Sequence, residues 1–143
     1  MKLRFLPIAA VLLACSCSFA WSKPQAAEKR SSEEAVRPSI IQMTADNLQD
    51  ILSSSRLLVV DVYTDWCPPC RNLAPIFHDL SEEYSDDYRF AKLNAEDQRA
   101  VAEKFKITAF PTILFIKEGE LVGRHVGFMN KAKFKNEIQR YLQ

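Results

Sequence analysis

Apolar and polar positions alternate along the chain in blocks that predict separate elements. A basic start, Lys2 and Arg4, leads into an apolar run from Phe5 to Ala14. Residues 22–39 then hold almost nothing to bury and are rich in Ser, Glu, Lys, Ala and Pro, the composition of a disordered tether. From residue 40 the pattern becomes that of a folded domain. Ile40 to Met43 reads as a short strand, and Thr44 or Asp46 as the cap of a helix reaching about Leu52. Leu57 to Tyr63 is a continuous, β-branched apolar run interrupted by one acid, Asp61. Such a run suits a strand buried on both faces of a sheet. Leu73, Phe77, Leu80 and Tyr84 recur at helical spacing and predict a helix over 68–84, kinked at Pro75. Phe90 to Leu93 is the next strand and Gln98 to Phe105 the next helix. Thr112 to Ile116 and Leu121 to Val126 form two strands around the turn Lys117-Glu118-Gly119-Glu120. A last helix over 130–142 turns Phe134, Ile138 and Tyr141 inward. The order β-α-β-α-β-α-β-β-α defines an α/β class. Crossover helices imply parallel strands and the late hairpin an antiparallel part, so the central sheet is mixed, with helices on both faces.

The first apolar run is about ten residues long, which fits the core of an export signal and falls short of a membrane span. Two processing routes are open. Leu12-Leu13-Ala14-Cys15 resembles a bacterial lipobox, which would lipidate Cys15. Ser18-Phe19-Ala20 offers small residues to an ordinary signal peptidase cutting before Trp21. A third outcome is an uncleaved anchor. The expected organisation is a signal peptide over 1–20, a linker over 21–39 and one domain over 40–143. The product would be exported, either periplasmic or anchored by lipid to a membrane and facing the periplasm. A flexible tether of about eighteen residues spans on the order of 25 Å.

Charge adds little. The formal net charge of +1 becomes −1 when Lys2 and Arg4 leave with residues 1–20. A near-neutral domain argues against nucleic acid as a partner, and Lys131, Lys133 and Lys135 read as a solvated helix face.

Cysteine usage changes the picture more. Four cysteines are present, at 15, 17, 67 and 70. Ordinary cleavage removes the first two; lipidation uses Cys15. Neither route leaves a structural disulfide framework, so Cys67 and Cys70 require their own chemistry. The segment Cys67-Pro68-Pro69-Cys70 follows a buried strand and opens a helix. Two intervening residues bring the sulfurs within disulfide reach. A helix N-terminus supplies partial positive charge that favours a thiolate, the species that attacks disulfides. Prolines are tolerated in a first helical turn and stiffen the loop. Cys67, before the helix, should be the more exposed sulfur and the nucleophile; Cys70, one turn deeper, should resolve the intermediate. A zinc site needs about four ligands, and only His78 and His125 remain without ligand spacing. Haem attachment needs His where Arg71 stands. A copper carrier needs a smaller domain of different strand order. No metal or cofactor is expected.

The segment Asp61-Val62-Tyr63-Thr64-Asp65-Trp66-Cys67-Pro68-Pro69-Cys70 resembles the active-site segment of the thioredoxin family. Leu73-Ala74-Pro75, Lys92-Leu93-Asn94, Phe110-Pro111-Thr112 and Val126-Gly127 are similar to later family motifs, in the same order, from about Ile40 to the C-terminus. The resemblance implies a thioredoxin-like fold and a protein-disulfide oxidoreductase. It implies that Asp61 is a buried acid moving a proton to or from Cys70, and that Lys92 pairs with it. Trp66 would shield the disulfide and touch substrates. Pro111 would be cis and present the Phe110 backbone to an extended substrate segment, while Gly127 would keep that groove open. Protein disulfides would be the substrates, and a membrane-bound thiol reductant or oxidant would renew the pair. The expected state is a monomer. The departure is Pro68, where typical thioredoxins have glycine. Periplasmic oxidants with proline there follow it with histidine, and Pro69 stands instead, which favours a reductase. An oxidase or isomerase on the same scaffold and a non-catalytic peptide-binding module are the other readings.

Overall fold

The computed structural model describes residues 40–142. The expected signal peptide, the tether and Cys15 lie outside the described residues. The chain divides into two units, 1–35 and 36–143, and the described residues all belong to the second.

Nine elements follow one another: β1 (Ile40–Gln42), α1 (Leu48–Ser54), β2 (Leu57–Tyr63), α2 (Pro68–Glu83), β3 (Arg89–Asn94), α3 (Arg99–Lys104), β4 (Thr112–Lys117), β5 (Glu120–Val126) and α4 (Lys131–Leu142). They build one five-stranded sheet in the order β1-β3-β2-β4-β5. β1, β3 and β2 run parallel, and β4 and β5 are antiparallel additions. The apolar run at 57–63 becomes the central strand because both its neighbours and both faces cover it.

Alternation along β2 sorts the core into two layers. Leu58, Val60 and Val62 pack with Leu48 and Ile51 of α1 and Val101 and Ala102 of α3. Val59 faces the other way, with Phe90, Ile113 and Phe115, against Leu73, Phe77 and Leu80 of α2 and Phe134, Ile138 and Leu142 of α4. Asp61, two residues beyond Val59, shares this second face. Phe77 meets Phe90 edge-on at 5.3 Å between ring centroids, and Phe115 meets Phe134 edge-on at 6.3 Å. Each such side chain contributes about 1.5–3 kcal/mol by leaving water. α2 is therefore pinned to the sheet along its length, which fixes where its N-terminus ends up.

Four details depart from the sequence pattern. Neither Thr44 nor Asp46 caps α1, which starts at Leu48 after Asn47. Residues 44–47 fold on themselves instead: Thr44 N–H donates to Asn47 Oδ1 (2.8 Å) and Asn47 N–H to Thr44 Oγ1 (3.4 Å). The hairpin turn is only Glu118-Gly119, with φ of 52° and 83°, so both flanking residues join the strands. Two consecutive positive φ values match the twist of a tight hairpin. Leu142, not Tyr141, completes the buried stripe of α4. Tyr141 is half-buried and stacks on Phe115 at 5.1 Å. It also covers Gly123, where an added Cβ would lie 2.5 Å from the tyrosine ring. Lys106 takes φ 54° just past α3, because Lys106 N–H bonds to Glu103 O and Ile107 N–H to Ala102 O, a Schellman closure usually given to glycine.

Candidate active site

β2 ends at Tyr63 and α2 begins at Pro68, so four residues turn the chain from the sheet onto its own face. Cys67 is the N-cap of α2. Its N–H donates to Thr64 O (3.3 Å), and its carbonyl accepts from Arg71 N–H (3.3 Å). Its Sγ accepts from Cys70 N–H at 3.3 Å, the bond a Ser or Asp side chain makes at other helix starts. Pro68 and Pro69 carry no N–H, so Cys70 N–H is the first free amide of the helix. Cys67 and Cys70 are joined as a disulfide, with Cα atoms 5.3 Å apart, inside the ordinary range.

The expectation that Cys67 is the more exposed cysteine does not hold in this oxidised state. Cys67 is 3% exposed and Cys70 4%. The capping bond and the disulfide both turn the Cys67 sulfur back toward the helix.

Asp61 is fully buried, and neither carboxylate oxygen has a hydrogen-bond partner among the described residues. Lys92 stands opposite it in the β2–β3 register and brings Nζ to 3.8 Å from Oδ2. Burial raises the Asp61 carboxyl from 3.8 to about 6, and the Lys92 ammonium opposes that rise. The same ammonium lies 4.5 Å from the centroid of the Tyr63 ring.

The peptide bond Phe110–Pro111 is cis. Pro111 O accepts from Gly127 N–H at 2.8 Å, so β5's end is tied to the cis-proline loop. Gly127 has φ 95°, and a Cβ there would meet nothing within 4 Å. Backbone conformation, not lack of room, is what suits glycine at this place. Trp66 is 64% exposed and sets its ring edge-on to Phe110, 6.1 Å between centroids. Trp66 and Phe110 thus form one aromatic corner between the cysteine turn and the cis-proline loop. His78 lies on the outer face of α2, 3.9 Å from Glu82, and His125 is half-buried on β5.

A clamp on the turn was not legible from the motif. Asp65 N–H donates to Glu96 Oε2, and Asp65 Oδ2 accepts from Asn94 Nδ2, each at 3.3 Å. Arg71 Nη1 donates to Asp65 O (3.3 Å), and Asn94 Oδ1 accepts from Glu96 N–H (3.0 Å). The parallel register Tyr63↔Asn94 carries the signal, since it ends both strands on the same side of the sheet.

A disulfide ring closed at the start of a helix, on a β-α-β-α-β-α-β-β-α sheet whose central strand buries an acid and which carries a cis-proline loop, defines the class of thiol–disulfide exchange proteins. The Thioredoxin family profile matches residues 39–140. A thioredoxin-like protein of Fusarium culmorum is 46% identical over 79 residues, 54% of this chain and 65% of that protein. Thioredoxin H4 of Arabidopsis thaliana is 40% identical over 88 residues, 62% of this chain and 73% of its own. In solved structures, a mutant thioredoxin from Halobacterium salinarum NRC-1 superposes with a TM-score of 0.67 at 28% identity, covering 73% of this chain and 91% of that one. The chain belongs to the thioredoxin family and is a thiol–disulfide oxidoreductase.

Proposed function

We propose that this protein is an exported reductase of protein disulfides, with Cys67 as nucleophile and Cys70 as resolving thiol. The observation that carries the reading is the Cys67 sulfur in the N-cap of α2, bonded to the Cys70 amide. In the reduced protein that position favours a Cys67 thiolate. The thiolate attacks one sulfur of a substrate disulfide. The substrate S–S bond breaks, a mixed disulfide forms, and the leaving thiolate takes a proton. Asp61, with its carboxyl near 6, is mostly ionised at neutral pH and accepts the Cys70 proton. The Cys70 thiolate then attacks Cys67 Sγ, releases the second substrate thiol and leaves the Cys67–Cys70 disulfide. Two electrons from a membrane-bound dithiol partner restore the pair. Lys92 steadies the Asp61 charge. Trp66, Phe110, Pro111 and Gly127 line the surface that receives an extended substrate segment.

Export rests on the segment before the domain: the basic start, the short apolar run and the two processing signals at 12–15 and 18–20. A lipid on Cys15 would hold the domain at a membrane facing the periplasm. The domain would act as a monomer.

Protein made without residues 1–20 is expected to reduce insulin with dithiothreitol as electron donor. A rate no higher than that of Cys67→Ser would overturn the enzymatic reading. A mass spectrum of the mature protein is expected to show either a lipidated Cys15 or an N-terminus at Trp21. An intact Met1 on protein recovered from the cytoplasm would overturn the exported reading.

A further inference from the structure

Lys92 is the only cation paired with Asp61 among the described residues, and its side chain is 21% exposed. A long, partly solvated ammonium beside a buried acid is fixed more closely where a second group also attracts it. Tyr63 provides one. Asp61 and Tyr63 are two residues apart on β2, so both project from the same face, and Lys92, opposite Asp61 on β3, brings its ammonium to both. The Nζ stands 3.8 Å from the acid and 4.5 Å from the centre of the ring face. An aromatic face attracts a cation through its quadrupole, and more strongly where water is partly stripped away.

Resting on the proton-transfer reading of Asp61, we propose that Tyr63 is a positioning residue: its ring face holds the Lys92 ammonium against Asp61. The ring, not the hydroxyl, does this. The hydroxyl is instead pushed up by burial first and then by Asp65, Asp61 and Asp97. The register partner on the other side, Ile113 of β4, lies opposite Asp61 and is apolar. Lys92 is therefore the cation that tunes the acid, and Tyr63 sets how closely it does so.

The test follows Asp61 by carboxyl carbon NMR in the intact protein across a pH series. Tyr63→Leu is expected to raise the Asp61 midpoint by about half a unit to one unit, as part of the ammonium's hold is lost. Tyr63→Phe keeps the ring and is expected to leave the midpoint in place. In a Lys92→Met background, Tyr63→Leu should produce no further shift. The acidic limb of the insulin-reduction profile should move in step with the carboxyl. A midpoint unchanged by Tyr63→Leu, or moved equally by Tyr63→Phe, overturns the proposal. Wild-type protein gives a second reading if Tyr63→Leu does not fold. The Lys92 ε-methylene protons should be shifted upfield by the ring, and random-coil shifts there would overturn it. If insulin reduction is absent in wild type, the functional reading fails, while the NMR midpoints still judge the role of Tyr63.

Discussion

Cys70→Ser, with Cys67 kept, is expected to abolish turnover and to leave the protein joined to its substrate. Cys67 can still open a substrate disulfide, because its place at the N-cap of α2 does not depend on the Cys70 sulfur. The capping donor is the backbone N–H of residue 70, which serine retains. What disappears is the second attack. Serine does not displace a thiolate from a mixed disulfide at neutral pH, so the intermediate accumulates. Cys67→Ser should lose turnover as completely and trap nothing. Non-reducing electrophoresis after mixing with an oxidised protein substrate separates the two. Adducts on Cys67→Ser and none on Cys70→Ser would reverse the assignment of nucleophile and resolving thiol.

Asp61→Asn is expected to make the fold more stable and the enzyme slower. The folded protein holds the Asp61 proton with a carboxyl near 6, against 3.8 for the group in an open chain. Below pH 3.8 the acid is neutral in both states, and its burial carries no ionisation penalty. As pH rises toward 6 the unfolded chain ionises first, so stability is lost through that window and stays lost above it. The difference is worth about 3 kcal/mol. Asn removes that pH-dependent loss. Denaturant unfolding should show the variant about 3 kcal/mol more stable at pH 8 and little different at pH 4. The proton acceptor for Cys70 is removed by the same change, so the resolving step should slow by about 100-fold at neutral pH. Equal stability of the two proteins across this range would mean that Asp61 is not held in the buried state described.

The elements most plainly written in the chain are those that bury most. β2 is legible because a continuous β-branched run has only the middle of a sheet to occupy, and α2 because Leu73, Phe77 and Leu80 repeat at helical spacing. Local polar bonding was harder to read. Thr44, Asp46 and Asn47 can each cap a helix, and the choice depends on Asn47 bonding back to Thr44 and to Gln42 O. The place of Tyr141 on α4 depends on the bare surface of Gly123, which belongs to β5. At the site, the motif with its flanking resemblance named the cysteines, Asp61, Lys92, Trp66 and the Phe110–Pro111 bond. It did not name Asp65, Asn94 and Glu96, because their bonds join the ends of two strands 29 to 31 residues apart. It also misplaced the exposure of Cys67, since the capping bond that withdraws the sulfur is a matter of geometry rather than residue type.

Activity turns on the electronic state of one sulfur. Titrating the Cys67 thiol in the reduced protein, by thiolate absorbance with Cys70→Ser to isolate it, measures that state directly. A helix N-terminus and the Cys70 amide should hold it well below the value of about 8.5 for a free cysteine. A midpoint at or above that value would mean that the start of α2 does not activate the sulfur.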